Sequence, residues 1–245
     1  MRLLEIFFNT DENLWKDIEY SLGRYNEEQI LSFCDPNEID YEHPMRYTNQ
    51  VEDSPTDSFL PVLDEFNELF HKWVNEIDIT AAKQIISLLE NSKYLTFNYT
   101  DVLESVYHIP FSQILHLHGN RLNNEDYLLG HNNYREPSDA WSDEDLLFNC
   151  HAYESIIRGM NHYVKTPSKV IDNFSGFFEQ LSHIKKVVVI GHSLNDIDMP
   201  YFDKVKSVIK DNASWFISWH SSNDLINIQS FVNNLSIRNL TIFEL

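Results

Sequence analysis

Three polar clusters in this chain each follow a short apolar run, and their residue types are those that hold or attack a polar ligand. Phe97-Asn98-Tyr99-Thr100-Asp101 follows Tyr94-Leu95-Thr96. His116-Leu117-His118-Gly119-Asn120 follows Ile114-Leu115, and Gly191-His192-Ser193-Leu194-Asn195-Asp196-Ile197-Asp198 follows the β-branched run that starts at Lys186. Gly130-His131-Asn132 is a weaker fourth member. In an open α/β sheet, ligands bind beyond the carboxyl ends of the strands, so residues just after strand-like runs are the ones to inspect. An imidazole titrates near neutral pH and suits general-base work. Plainer roles are open to the same residues. Asn-Tyr-Thr-Asp can be a helix cap, His116 can be a core side chain on the same face as His118, and Gly191 can serve a tight strand-to-helix passage.

Three chemistries compete for these clusters. Gly191-His192-Ser193 after a valine strand imitates a nucleophile elbow, but Asn195 stands where a small glycine is needed and His220 is the only later histidine. Histidines 118, 131 and 192 suggest a metallophosphoesterase, yet the Asp-x-His and Gly-Asp-x-x-Asp blocks such a site needs are missing, so no metal is expected. The third chemistry is a nucleotide-cofactor site.

The elements that must position these residues alternate in type. Asp11 to Leu22 reads as an amphipathic helix ended by Gly23. The acidic, proline-punctuated stretch 35–57 reads as a loop or insertion. Phe59 to Ile77, including Leu69 and Trp73, keeps helical period, and Thr80 opens a further helix through Glu90. Beyond Asn91, strands are expected at Tyr94–Phe97, Ile114–Leu117, Tyr127–Leu129, Lys186–Gly191, Trp215–Trp219 and Leu240–Phe243. Helices are expected at 101–107, 146–163, 168–181, 198–210 and 225–234. The valine run reads as a central strand buried on both faces. The expected fold class is α/β: one Rossmann-like, mainly parallel sheet with helices on both faces, behind a mostly helical N-terminal third, all in a single domain of residues 1–245.

Composition narrows the partners. A net charge of −20 with only 18 scattered Lys and Arg opposes nucleic-acid binding. Cys34 and Cys150 form no CxxC pair, and no apolar run approaches the roughly 18 residues of a membrane span. A cytoplasmic protein is expected.

The versions "LTFNYTDVLE", "ILHLHG" with a following "LLGH", and "VVVIGHSLNDIDMPYF" resemble the bacterial sirtuin-like proteins and are similar to the AbiH abortive-infection family in particular. The resemblance runs from about Trp15 to the C-terminus. It implies a sirtuin-like fold and NAD as substrate or ligand, with Asn98 holding the ribose and orienting water and His118 as the general base. Thr96, Thr100, Asp101 and Gly119 would lie around the cofactor, with Asp101 holding the loop or a ribose hydroxyl. Gly191 and Ser193 would face the adenosine-side ribose, while Asp196 and Asp198 would cap the next helix. The family pattern opens with a strand and a Gly-Asn-Gly-Phe-Asp-type turn for phosphates, whereas Met1 to Thr10 contains no glycine, so an N-terminally incomplete site is expected. The implied activity is antiphage defence with NAD glycohydrolysis, with a small nucleotide as ligand and a homo-oligomer or a defence protein as partner. The alternative is a noncatalytic nucleotide-sensing or interaction module.

Overall fold

The computed structural model describes residues 18–32, 44–82, 84, 91–123, 127–141 and 150–245. The chain divides into two compact units, Met1–Lys165 and Thr166–Leu245. In the first unit, helices α1 (Ile18–Leu22), α2 (Glu27–Ser32), α3 (Pro44–Glu76) and α5 (Cys150–Asn161) share one core. Phe59 and Leu63, four residues apart on α3, meet Tyr153, Ile156, Ile157 and Met160 of α5 and Leu22 and Ile30 of α1 and α2. This spacing puts each set on one helix face, and burying them supplies the drive for packing.

The α3 helix departs from expectation in two ways. It begins at Pro44, so residues 44–57, expected as loop, are helical, and the chain passes Pro55 without leaving the helix. Proline punctuates most helices, but intrinsic propensity is a weak prior against a long helix docked on a core. Leu69 and Trp73, expected on the buried stripe, are exposed, because the buried face runs through Phe59, Leu63 and Val74. The helix expected from Thr80 falls largely at 83 and 85–90, outside the described residues; Thr80 itself is in a turn, its N–H donating to Asp78 Oδ1 (2.8 Å).

Strand β1 (Tyr94–Thr96) pairs in parallel with β2 (Ile114–His116), placing Thr96 beside His116. Residues 102–105 form the short helix α4 (Val102–Ser105) between them. Tyr127–Leu129 is not a strand, although Leu128 N–H donates to the His118 carbonyl (2.9 Å) and His131 makes a parallel bridge with Val164. The reason for this close approach is Gly130. A Cβ there would lie 2.1 Å from the Tyr163 carbonyl oxygen, so only glycine lets the two segments meet. Gly130→Ala is expected to cost about 3 kcal/mol, at the upper end of overpacking effects, in urea unfolding. Unchanged stability would mean that the two segments need not touch.

In the second unit, β3 (Lys186–Val189), β4 (Ser214–Trp219) and β5 (Leu240–Glu244) form a parallel sheet in the order β3-β4-β5. The expected helix 168–181 is broken into α6 (Pro167–Asn173) and α7 (Ser175–Glu179). Helices α8 (Met199–Val208) and α9 (Ser222–Asn234) bring Phe202 and Phe231 into contact (5.0 Å between rings), and Phe231 meets Trp215 of β4 (5.9 Å). Side chains alternate along each strand, so Trp215 and Ile217 are buried against these helices.

Two expectations are corrected here. Among the described residues, the strands at Tyr94 and Ile114 form one hydrogen-bonded sheet and that at Lys186 belongs to another, rather than all three lying in one. The valine strand is not buried on both faces: it stands at one side of its sheet, with Val188 exposed, and β4 takes the middle place. A run of β-branched residues reports strand preference and says little about position in the sheet. The coarse reading holds, since the protein is a mixed α/β chain with short parallel sheets.

Candidate functional site

The loops after β1 and β2 are knitted together by their own polar side chains. Thr96, buried, accepts from Asn98 N–H at Oγ1 (3.1 Å) and turns the chain as β1 ends. His116 Nδ1 donates to the Asn98 carbonyl (3.1 Å), while its Nε2 lies 2.8 Å from Glu104 Oε1. Asn120 joins the same group: its Oδ1 accepts from Leu122 N–H, and its Nδ2 lies 3.2 Å from Glu104 Oε1. Asn98 is thus held through its backbone with an exposed side chain, and Thr100 beside it is half-buried.

Asp101 sits at the N-cap position of α4 yet makes no capping bond. Its carboxylate is taken by Arg121 Nε and by the Ser105 hydroxyl. Arg121 also donates through Nη1 to the Ile77 carbonyl (2.7 Å), just past the end of α3, where carbonyls lack helical partners. Burial alone would raise the Asp101 carboxyl. The Ser105 and Arg121 hydrogen bonds outweigh it and hold the group below its ordinary range.

His118 lies at the other end of this arrangement. Gly119, at φ 92°, makes the turn that follows it. The His118 side chain is buried, with the Phe97 ring packed edge-on at 5.3 Å and the Tyr99 ring at 6.1 Å. Against it lies a group that sequence reasoning missed. Lys165, whose side chain is 1% exposed, places Nζ 3.3 Å from His118 Nε2 and 3.5 Å from Nδ1, and pairs with Glu19 of α1. Tyr99 Oη stands 3.5 Å from the same Glu19 carboxylate. An ion pair withdrawn from water loses hydration that its own attraction often fails to repay. Buried charges beside a histidine therefore mark a candidate site on physical grounds.

Of the residues expected around a cofactor, Thr96, Asn98, Thr100, Asp101, His118 and Gly119 all belong to the first unit and to these two loops. Gly191 and Ser193 belong to the second unit. Gly191, at φ 62°, donates its N–H to Ser218 Oγ (2.9 Å); Ser193 is exposed and its carbonyl accepts from Asn227 Nδ2 (3.0 Å). The family model described as "Bacteriophage abortive infection AbiH" matches residues 1–219, through all three motifs. The chain belongs to the AbiH family. Membership carries the role of bacteriophage abortive infection. No curated protein and no solved structure matches the chain.

The AbiH motifs also contain histidines whose work is structural. His192 Nδ1 accepts from Leu194 N–H (2.8 Å) and its Nε2 faces Asp198 Oδ2 (3.3 Å), which locks the turn after β3. Asp198, expected to cap α8, stands at the cap position and makes no capping bond; its carboxylate goes to His192 instead. His220 is paired with Asp224 (2.8 Å) at the start of α9, where Ser221 and Asp224 form a reciprocal capping box. No described helix is long and apolar enough to cross a membrane, and no cluster of metal-binding side chains is present among the described residues.

His131 is held on both ring nitrogens as well. Its Nε2 donates to the Met160 carbonyl (3.1 Å) and its Nδ1 accepts from Asn133 N–H (3.2 Å), which fixes a neutral ring. Burial lowers its pKa, and the Met160 bond offsets only part of that. In the unfolded chain the group binds a proton near pH 6.5. Between that value and the lower folded one, the unfolded state carries the extra proton, so stability falls as pH drops. Urea unfolding at pH 7.5 and pH 5.5 is expected to show a loss with a slope of up to about 1.4 kcal/mol per pH unit from this group. His131→Asn should flatten it, and an unaltered slope would assign the effect elsewhere.

Proposed function

We propose that this AbiH protein acts in abortive infection through a nucleotide site in its first unit, and that the reaction there is hydrolysis of NAD. In this reading His118 is the general base and Asn98 holds the ribose. Cleavage of the bond to nicotinamide develops positive charge on the sugar, so an amide fixing the ring and a neutral imidazole accepting a proton suit the chemistry. The observation that carries the proposal is the buried Lys165, paired with Glu19, against His118, whose loop is tied to that of Asn98 through His116. Thr96, Thr100, Asp101 and Gly119 then serve as the frame of the site. Asp101 acts through Arg121, which ties the two loops to the end of α3.

One observation favours a second reading. His118 is only 3% exposed, so a substrate must reach it by moving the side chains around it. A noncatalytic nucleotide-sensing or interaction module needs no such access, and its acidic surface would then meet a partner protein. Incubating the purified chain with NAD and following nicotinamide release by chromatography separates the two. Steady release supports the enzyme. A rise in melting temperature with NAD and no release favours the sensing module, and neither effect would remove NAD from the account.

A further inference from the structure

Strand β5 is an outer strand of the second unit's sheet: it pairs with β4 on one side and, among the described residues, with no strand on the other. Its hydrogen bonds show which groups that edge leaves open. The Asn239 carbonyl accepts from Trp215 N–H (2.8 Å) and Leu245 N–H donates to the Trp219 carbonyl (3.0 Å), so the odd-numbered residues turn their peptide groups toward β4. Alternation turns the N–H and C=O of Leu240, Ile242 and Glu244 outward. Natural edges are usually blunted by lysine, proline or a bulge, and Leu240-Thr241-Ile242-Phe243 carries none of these. Leu240 and Ile242 share the face on which Trp215 and Ile217 lie buried, yet they are 38% and 45% exposed, so the helix cover of that face stops short of β5.

We propose that this edge pairs with the β5 edge of a second copy of the chain, antiparallel and about a two-fold axis at Thr241. Only registers that set even-numbered residues opposite even-numbered ones bring the outward peptide groups face to face. In the register centred on Thr241, Leu240 stands opposite the second copy's Ile242, threonine opposite threonine, and Arg238 opposite the second copy's Glu244. Each is a favourable cross-strand pair: apolar with apolar, hydroxyl with hydroxyl, cation with carboxylate. Arg238 and Glu244 are exposed, and neither has an ion-pair partner among the described residues. Moving the axis one residue either way sets Leu240 against Glu244 or Ile242 against Arg238 instead. The two-fold arrangement also closes at two copies, whereas joining β5 to the opposite edge of another sheet would extend without end. One strand per copy is a small interface, so the dimer forms with rising concentration and dissociates on dilution.

The test is sedimentation equilibrium of the full chain over a concentration series at about 0.15 M salt, where screening limits the repulsion between two copies carrying −20 each. The wild type is expected to move from the chain mass toward twice that mass. Ile242→Pro removes an outward N–H and no bond to β4, so it is expected to raise the dimer dissociation constant by about 10-fold or more while circular dichroism stays unchanged. Arg238→Glu and Glu244→Arg each set like charges opposite one another and are expected to weaken the dimer by about 5-fold. Combining the two restores opposite charges and is expected to recover the wild-type constant. Both charged positions are exposed, so these variants decide the matter even if the proline variant does not fold. A wild type that stays monomeric at every concentration would overturn the proposal. So would a dimer indifferent to all of these changes, or a double variant no tighter than the single ones. No readout here involves NAD, so the outcome stands apart from the reaction proposed above.

Discussion

His118→Ala is expected to reduce nicotinamide release from NAD by about 10²-fold or more, the usual loss when a positioned general base is removed. Asn98→Ala should lower it too, since the amide is the group proposed to hold the ribose. The two should differ in stability. Asn98 is exposed and is anchored through its backbone N–H and carbonyl, both of which an alanine keeps, so its variant should melt close to the wild type. His118 is buried beside a charged pair, and its removal leaves Lys165 with one polar neighbour fewer. Kinetics and melting temperature must therefore be read together. Full turnover in either folded variant would remove that residue from the mechanism.

The largest effect on stability is expected at Asp101. Removing the carboxylate in Asp101→Ala strands the Arg121 guanidinium, whose side chain is 14% exposed, and frees the Ser105 hydroxyl. Breaking one half of a buried pair costs about 3–5 kcal/mol, because the remaining charge keeps its desolvation penalty. The double variant Asp101→Ala with Arg121→Met should recover part of that loss, and urea unfolding of the four proteins closes the cycle. The pH dependence has a definite sign. The folded carboxyl titrates below its unfolded value, so its stabilisation is present above about pH 3.9 and is lost as pH falls through the lower folded value. Asp101→Ala should remove that part of the acid sensitivity. A variant as stable as the wild type would show that Arg121 finds its partners elsewhere.

The residues that frame the candidate site stand next to one another in the sequence, and that is why they could be named from it. Asn98, Thr100 and Asp101 follow β1 directly, and His118 and Gly119 follow β2, so locating two strands located five residues. The parallel pairing of those strands brings the two loops together. Lys165 and Glu19 could not be found this way. They are 146 positions apart, and each looks like an ordinary charged residue at the end of a helical stretch until burial is known. The weak Gly130-His131 cluster did hold a usable signal, a glycine next to a histidine after an apolar pair, but its meaning is the close approach of Tyr163. The sheet was harder for a different reason. Periodicity shows that a segment is a strand, yet pairing partners are set by packing far along the chain, so the valine run gave no warning that it would stand at the side of its own three-stranded sheet. Helix α3 shows the reverse error, since prolines that punctuate most helices did not stop one anchored by Phe59 and Leu63.

The role in abortive infection and the proposed chemistry meet in one measurement: phage plating efficiency and intracellular NAD in bacteria expressing the chain, its His118→Ala variant, or neither. The account predicts that the wild type lowers plaque formation while NAD falls after infection, and that the stably folded His118→Ala protein does neither. Protection that persists in the variant with NAD unchanged would contradict it.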